Sequence, residues 1–328
     1  TLSAAIAVHA AKSGKKTLVL TIDPAKRLAQ TLGFDQFDHR PKAIPLSKDV
    51  KLWAMMLDTK ETLDQLIRQY APSQEIIDKI LGNRIYQYLS TMLAGTRDYM
   101  ALEKLYELWK ENHYDFIVID TPPAKHALNF LEAPERLSNF LDENILKWFL
   151  KPYFLAGKLS IQFLSAGSYF VFKIIERFTG LQLFYELSEF FINLQTLYTG
   201  FRERTLKARE ILGSHETAFL LATVPERRML EEAFRFYERL TGMKLPFGGI
   251  IINRILADIP LTADAYSSQR KTLENMKPKM SKNERVKLEI FEQWEELAKR
   301  ERMETEQFKK SLSTAAPTAG VPVYEIPF

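Results

Sequence analysis

The chain has 328 residues, of which 46% are hydrophobic, enough to bury the core of one large α/β domain or of two domains. Its 45 basic and 41 acidic residues nearly balance, and no basic stripe interleaved with aromatics indicates a nucleic-acid partner. The absence of cysteine excludes disulfides, thiolate catalysis and zinc–thiolate sites. No uncharged apolar run reaches the roughly 18 residues of a membrane helix, so we expect no integral membrane segment. The lack of cysteine suits a reducing compartment, and we expect a cytoplasmic protein.

The first elements indicate the second half of a nucleotide-binding βαβ unit. Residues 1–11 (TLSAAIAVHAA) predict an alanine-rich helix, Gly14 ends it, and residues 16–22 (KTLVLTI) predict a strand. In such units the phosphate-binding loop precedes the helix. Asp23 follows the strand directly, where it is either a catalytic carboxylate or the cap of the next helix.

A third strand and a helical region come next in the chain. Residues 51–57 (KLWAMML) predict a strand. Residues 59–111 predict amphipathic helices, broken near Pro72 and Gly95, because apolar residues such as Leu66 recur at helical spacing. We expect the aromatic and methionine side chains of these helices to form ordinary core.

A second acid follows the apolar run at residues 116–119 (FIVI). Four consecutive apolar residues predict a fully buried strand of a parallel sheet. Asp120 lies at its carboxyl end, where open α/β sheets bind ligands, although a turn or helix cap also explains an aspartate there. Together, Asp23 and Asp120 form the pair that magnesium-assisted phosphoryl transfer needs. One acid holds the metal through water, and the other orients or deprotonates the attacking water.

Residues 146–201 are unusually rich in phenylalanine. Charged residues interrupt this segment too often for a membrane span. Two interpretations remain open: the helices pack as ordinary core, or they form a groove for a hydrophobic helix.

The last part of the chain predicts three more strands, at residues 217–223, 248–252 and 321–326. Asn253 follows the second of them, and its amide offers both a donor and an acceptor to the edge of a purine. Glu226 follows the strand predicted at residues 217–223, where its carboxylate either accepts a hydrogen bond from an amine or a ribose, or caps the next helix. Taken singly, a residue of either type at such a position is more often a turn residue than a ligand.

Several motifs, read together, carry a family resemblance: the helix of residues 1–11, DPAKRLAQTLG from Asp23, IDTPPAKHALNFLEAPERL from Ile119, VPE from Val224 and IINR from Ile251. In this order they resemble the ArsA family, which includes the ATPase of arsenite pumps and the ATPase that targets tail-anchored membrane proteins. The resemblance runs along nearly the whole chain. It implies a doubly wound, mostly parallel sheet of the P-loop NTPase class, with a deviant Walker A loop and an inserted helical subdomain.

The resemblance also implies roles for individual residues. Asp23 matches the switch I aspartate that activates the hydrolytic water, and Asp120 matches the switch II aspartate near the magnesium. Glu226 and Asn253 match positions that contact the nucleotide, Asn253 at the adenine. The family's phosphate loop, GKGGVGKTT, would end at Thr1, which makes Thr1 a candidate ligand of the nucleotide and of the metal.

The remaining switch II positions implied by the resemblance are Thr121, Pro122, Pro123 and His126. The implied cofactors are ATP and Mg²⁺. The implied partners are a second copy in a homodimer and a hydrophobic client helix or a membrane protein, with no nucleic acid expected. Because the chain has no cysteine, it lacks both the thiolate metalloid site of the arsenite pumps and the CxxC zinc site of the eukaryotic targeting ATPases. These motif variants are more similar to the bacterial single-copy branch.

The predicted organisation has a nucleotide-binding core in two parts. Its first part is 1–140, including the helical region 59–111, and its second part is 213–328, including helices within 262–312. The phenylalanine-rich helical subdomain, 141–212, lies between them.

Different functions fit this organisation. The first is an ATP-hydrolysing dimeric switch that handles a hydrophobic helical client. The alternatives are a ParA-like partitioning or positioning ATPase, and an anion-transport-associated ATPase without thiolate metalloid binding. A further alternative is a nucleotide-binding module that does not hydrolyse ATP, if the native protein has no phosphate loop.

Overall fold

A computed structural model describes residues 2–23, 27–47, 49–84, 86–87, 90, 94–121, 186, 189–190, 192–193, 197–256, 272, 275–276, 280–315 and 320–328. The chain divides into two compact units, Thr1–Ile211 and Leu212–Phe328. The described elements are, in chain order, α1 (Leu2–Lys12), β1 (Thr17–Thr21), α2 (Arg27–Thr31), β2 (Lys42–Ala43), β3 (Leu52–Met56), α3 (Thr59–Tyr70), α4 (Gln74–Gly82), α5 (Ala94–Glu111), β4 (Phe116–Asp120), α6 (Tyr198–Gly213), β5 (Phe219–Thr223), α7 (Arg227–Gly242), β6 (Phe247–Ile255), α8 (Lys282–Ala315) and β7 (Val323–Pro327).

The first unit contains a sheet with the strand order β2-β3-β1-β4. β1 is parallel to both of its neighbours, β3 and β4, whereas β2 is antiparallel to β3. All five residues of β1 are buried, as expected for a central strand of a mostly parallel sheet. The strands predicted at residues 16–22, 51–57 and 116–119 are therefore confirmed, and the short edge strand β2 was not predicted.

β4 is more exposed than its sequence predicted. The Phe116 side chain is 38% exposed, and the four residues that follow it are only partly buried. The prediction of a fully buried strand is wrong because, among the described strands, β4 pairs with β1 alone and lies at the edge of the sheet. An edge strand lacks the neighbour that covers a central strand laterally.

α1 packs its alanines against one face of this sheet. Alternate residues of a strand share a face, so Val19 shares a face with Thr21, and Val118 shares a face with Asp120. Val19 and its partly buried neighbour Val118 belong to the same core cluster as buried alanines of α1, namely Ala4, Ala7 and Ala11. Thr21 and Asp120 therefore lie on the face of the sheet that carries α1.

Gly14 reverses the chain between α1 and β1. Its φ of +87° is a left-handed conformation that glycine adopts without steric cost, and its N–H donates to the carbonyl of Ala11 at 3.1 Å. The predicted end of the first helix is confirmed. Because the turn is tight, α1 runs antiparallel to β1, and the first turn of α1 lies beside the carboxyl end of the strand.

The helical region 59–111 forms α3, α4 and α5. The Asp58 carboxylate caps α3 by accepting from the N–H of Glu61 at 2.9 Å. The break predicted near Pro72 is confirmed, because α3 ends at Tyr70 and α4 begins at Gln74. α5 begins at Ala94, so Gly95 lies in its first turn rather than between two helices.

A buried ion pair joins α6 to α5 and α3. The side chains of Glu103 and Arg204 are only 1% and 7% exposed, and Arg204 Nε donates to Glu103 Oε1. Arg204 Nη1 donates to the Tyr70 hydroxyl at 2.5 Å, and the Tyr99 hydroxyl donates towards Glu103 Oε2 at 3.3 Å. Burial raises the pKa of the Tyr99 hydroxyl, which keeps it protonated as a donor.

The second unit contains a parallel sheet with the order β5-β6-β7. α7 packs on β5, and α8 packs on α7. The three strands predicted at 217–223, 248–252 and 321–326 are confirmed, and α8 lies within and just beyond the predicted helical stretch 262–312. Among the described helices, none is both long enough and apolar enough to cross a membrane.

Candidate functional site

Asp23 and Asp120, the two acids predicted in the first unit, lie at the carboxyl ends of two neighbouring parallel strands of its sheet. Asp120 is the last residue of β4 and stands in register with Thr21, the last residue of β1. The N–H of Ile22 donates to the carbonyl of Asp120 at 2.9 Å, so the parallel pairing extends one residue beyond β1. Asp23 is the next residue. The structure thus brings together two acids that are separated by 97 positions in the sequence.

Two hydroxyl groups contact the Asp120 carboxylate. Ser3 Oγ donates to Asp120 Oδ1 at 2.5 Å, and Thr21 Oγ1 donates towards Asp120 Oδ2 at 3.3 Å. The Thr21 hydroxyl also lies 3.2 Å from the carbonyl oxygen of Asp23, so its single proton is shared between the two acceptors. Thr21 is therefore a side-chain link between the segments that carry the two acids, in addition to the backbone hydrogen bond from Ile22 to Asp120.

Ser3 was not identified as a site residue from the sequence. The sequence did contain a signal for Ser3, namely its helical spacing. Ser3, Ala7 and Ala11 are spaced by four residues and therefore share one face of the helix. Ala7 and Ala11 are buried against the sheet. A hydroxyl on the core-facing side of an alanine-rich helix needs a hydrogen-bond partner, and here the partner is Asp120.

The chemistry of these groups fits a magnesium nucleotide. Mg²⁺ prefers oxygen ligands and is commonly bound through one or two carboxylates, with phosphates and water completing its shell. Asp120 supplies such a carboxylate. The contact between Ser3 and Asp120 places the first described turn of α1 beside the carboxyl ends of β1 and β4. Across the part of the chain that the structure describes, no cluster of three or more acidic or histidine side chains offers a metal site made of protein ligands alone.

In the second unit, Glu226 lies three residues beyond the end of β5, whereas Asn253 was predicted to follow a strand but lies within β6, where it pairs with Ile326 of β7. Glu226 occupies the N-cap position of α7. Its side chain is exposed and, among the described residues, makes no capping hydrogen bond. The prediction that Glu226 caps the helix is therefore confirmed for its position, while its backbone carbonyl, and not its side chain, accepts from the N–H of Leu230. Asn253 is half-buried.

An irregularity of the strand follows Asn253. The pairing of β6 with β7 shifts between Asn253 and Ile255, and Arg254 between them has a φ of +65°. The Arg254 guanidinium lies 5.2 Å from the centre of the Phe328 ring. Bulges and left-handed non-glycine residues are concentrated near functional sites, because they redirect neighbouring side chains. The backbone thus changes direction beside the residue predicted to contact adenine.

The other predicted site residues are less informative. Thr121 is exposed and follows β4 directly. Four other predicted site residues lie outside the described residues, namely Thr1, Pro122, Pro123 and His126. Most of the predicted subdomain 141–212 lies outside them as well.

Comparison with known proteins supports the reading of the motifs. The family model described as "Anion-transporting ATPase" matches residues 1–312. "Putative arsenical pump-driving ATPase 1" of Aquifex aeolicus is 23% identical, over 84% of this chain and 65% of its own length. "ATPase ARSA1" of Chlamydomonas reinhardtii is 24% identical, over 81% of this chain and 34% of its own length. "ATPase get3" of Aspergillus terreus is 24% identical, over 78% of this chain and 69% of its own length.

The chain spans less than two thirds of the Aquifex and Chlamydomonas relatives. The family model nevertheless covers nearly the whole of this chain, and the mixed α/β architecture with parallel strands agrees with the P-loop NTPase class. The resemblance drawn from the sequence motifs is therefore confirmed. The chain belongs to the ArsA family of anion-transporting ATPases.

Proposed function

We propose that the protein is a magnesium-dependent ATPase that works as a nucleotide switch in a homodimer. One observation carries the proposal: the Thr21 hydroxyl links the Asp23 backbone to the Asp120 carboxylate at the edge where α1 begins. This arrangement places two acids at the carboxyl ends of two neighbouring parallel strands, where α/β sheets bind ligands and where phosphoryl transfer needs a metal-binding and a water-activating carboxylate. The family membership and the names of the relatives support it.

Each predicted site residue has a distinct role in this proposal. Asp23 accepts a proton from the attacking water or orients that water, and Asp120 holds the magnesium through a water molecule. Glu226 and Asn253 bind the nucleotide, and the Asn253 amide reads the adenine edge. Thr1 contributes its hydroxyl to the nucleotide and the metal. When bound, Mg²⁺ neutralises charge on the phosphates.

The direct test is ATP turnover by the full-length protein. We expect hydrolysis in the presence of Mg²⁺ and its loss when EDTA removes the metal, with recovery after Mg²⁺ is restored. Phosphate release measures the turnover, and a fluorescent ATP analogue measures binding in parallel. Binding of the analogue without hydrolysis of ATP when Mg²⁺ is present would contradict the proposal and favour the non-hydrolysing module instead.

The output that we propose is the binding of a hydrophobic helical client by the predicted subdomain 141–212. Its phenylalanine-rich sequence supports this, because large apolar side chains suit a groove for an amphipathic or apolar helix. The resemblance to the ArsA family, which implies a hydrophobic client helix as a partner, also agrees with it. Near the carboxyl end of that range, the buried pair of Glu103 and Arg204 joins α6 to α5.

Replacement of Phe163, Phe170 and Phe172 by serine should abolish binding of a hydrophobic helical peptide while ATP turnover stays close to that of the wild type. Fluorescence anisotropy of the labelled peptide measures binding. The matched control is Phe291→Ser, because Phe291 is 40% exposed on α8 in the second unit. Loss of turnover together with binding would show that these residues are core.

The names of two Aquifex relatives favour a second function, an ATPase that drives an anion pump. These 328 residues contain no thiolate to ligate arsenite, so a pump-driving role requires another means of sensing the anion. Stimulation of turnover by an oxyanion, without a hydrophobic peptide present, would favour this function. ATP-dependent binding to DNA or to lipid vesicles would favour the ParA-like alternative, and negative results in both assays would remove it.

A further inference from the structure

The Asp120 carboxylate has a hydroxyl donor at each of its oxygens. Ser3 on α1 contacts Oδ1, and Thr21 on β1 contacts Oδ2. Thr21 is only 3% exposed, and Ser3 is half-buried. The two donors come from different elements, so the carboxylate is fixed from two directions.

The effect of two such donors on an aspartate is orientational. The terminal torsion of an aspartate side chain has broad, roughly two-fold preferences, and the side chain does not define the plane of its carboxylate by itself. The short hydrogen bond from Ser3, at 2.5 Å, is of the strong kind that ionised acceptors form, and it fixes the position of Oδ1. The contact from Thr21, at 3.3 Å, is longer and shared, and it restricts the rotation that would otherwise leave Oδ2 free to move. A carboxylate has about four lone-pair sites, and the hydroxyls use two, which leaves about two for a water molecule of a metal shell.

We propose that Ser3 and Thr21 are positioning residues that hold the Asp120 carboxylate in the orientation needed to bind a hydrated divalent cation. This inference rests on the proposed function, in which Asp120 serves the metal. Residues that hydrogen-bond to a metal-binding carboxylate generally orient it in this way, because they fix the direction of the oxygen lone pairs that bind the metal.

The contact between Thr21 and Asp23 extends this role. The Thr21 proton is shared between the Asp120 carboxylate and the Asp23 carbonyl, at 3.3 and 3.2 Å. If the Asp23 segment moved away, the Thr21 hydroxyl would donate its proton to the Asp120 carboxylate alone. Thr21 thereby couples the orientation of the metal-binding acid to the position of the predicted water-activating acid.

The experiment compares Ser3→Ala and Thr21→Val with two matched controls in the full-length protein. Ser13→Ala removes a hydroxyl from the other end of α1, where it donates to the carbonyl of His9. Thr17→Val makes the same change at the other end of β1, where the hydroxyl donates to the carbonyl of Lys15 and Thr17 is fully buried. The readout is Mn²⁺ binding, followed by electron paramagnetic resonance with a non-hydrolysable ATP analogue present.

We expect Ser3→Ala and Thr21→Val each to raise the dissociation constant for Mn²⁺ about tenfold, as substitutions of outer-shell partners do. The two control variants should stay within about twofold of the wild type. Thr21→Ser, which keeps the hydroxyl, should restore the affinity. The KM for ATP at saturating metal should not change, because the inference concerns the cation alone. Alanine is a better helix former than serine, so loss of affinity in Ser3→Ala cannot come from a weaker α1.

The outcomes separate this inference from the proposed function. If Asp120→Asn weakens Mn²⁺ binding while Ser3→Ala and Thr21→Val do not, Asp120 serves the metal without help and the positioning role is wrong. If neither Asp120→Asn nor the hydroxyl variants alter Mn²⁺ binding, the metal role of Asp120, and with it the proposed function, is overturned. Equal weakening in the controls Ser13→Ala and Thr17→Val would also refute the positioning role.

Discussion

Asp23→Asn should lower the kcat of ATP hydrolysis by about two to four orders of magnitude, the usual contribution of a general base or a water-orienting carboxylate. The amide has nearly the same shape as the carboxylate but cannot accept a proton from water. The affinity for ATP should therefore be retained. Steady-state phosphate release gives kcat, and titration with a fluorescent, non-hydrolysable ATP analogue gives the affinity.

A suitable control for this variant is Asp115→Asn. Asp115 precedes β4 at the opposite end of the sheet, is exposed, and accepts from the N–H of Lys16 at 2.8 Å. An asparagine oxygen can accept the same hydrogen bond, so turnover should be unchanged. Wild-type turnover in Asp23→Asn would remove Asp23 from catalysis, and loss of ATP affinity in that variant would indicate a binding role instead.

The second large effect should come from Arg204→Met. We expect the free energy of unfolding to fall by about 3–5 kcal/mol, because the substitution leaves the Glu103 carboxylate buried without its cation. Arg204 also donates to the Tyr70 hydroxyl and lies 4.6 Å from the centre of the Tyr106 ring. Denaturation in urea, analysed by linear extrapolation, measures the change.

Lys207→Met, on the same helix, is the control for Arg204→Met. Lys207 pairs with Glu210 at 2.9 Å, but both side chains are more than half exposed, so the stability should hardly change. The double variant Glu103→Met/Arg204→Met should recover much of the lost stability, since replacing both partners leaves no unpaired buried charge. If Arg204→Met is as stable as Lys207→Met, the buried pair does not hold α6 in place.

Strands and turns could be predicted where neighbouring residues in the sequence form an apolar run or a turn motif. The apolar runs of β1, β3, β5 and β6 predicted their strands, and Gly14 predicted the turn after α1. The short strand β2 was missed because Lys42 and Ala43 are both exposed, so no hydrophobic pattern marks them. The burial of Phe116 was wrongly predicted because an apolar run does not tell whether a strand lies at the centre or the edge of a sheet.

The polar contacts could not be predicted because they depend on distant residues. Glu103 and Arg204 each read as a charge on an amphipathic helix, and 101 positions separate them. Ser3 and Asp120 are separated by 117 positions. The sequence placed both Asp23 and Asp120 at strand ends, but only the parallel register of β1 and β4 shows that they share an edge. Family motifs pointed to the acids and gave no sign of the hydroxyls that contact them.

β1 should be among the most persistent parts of the first unit. It has strands on both sides and is fully buried, so its amide hydrogens should exchange with solvent only when much of the sheet opens. Thr21 is its last residue, and Asp23 follows two positions later. The hydroxyl that contacts Asp120 and the acid predicted to activate water are thus both attached to a strand that opens rarely.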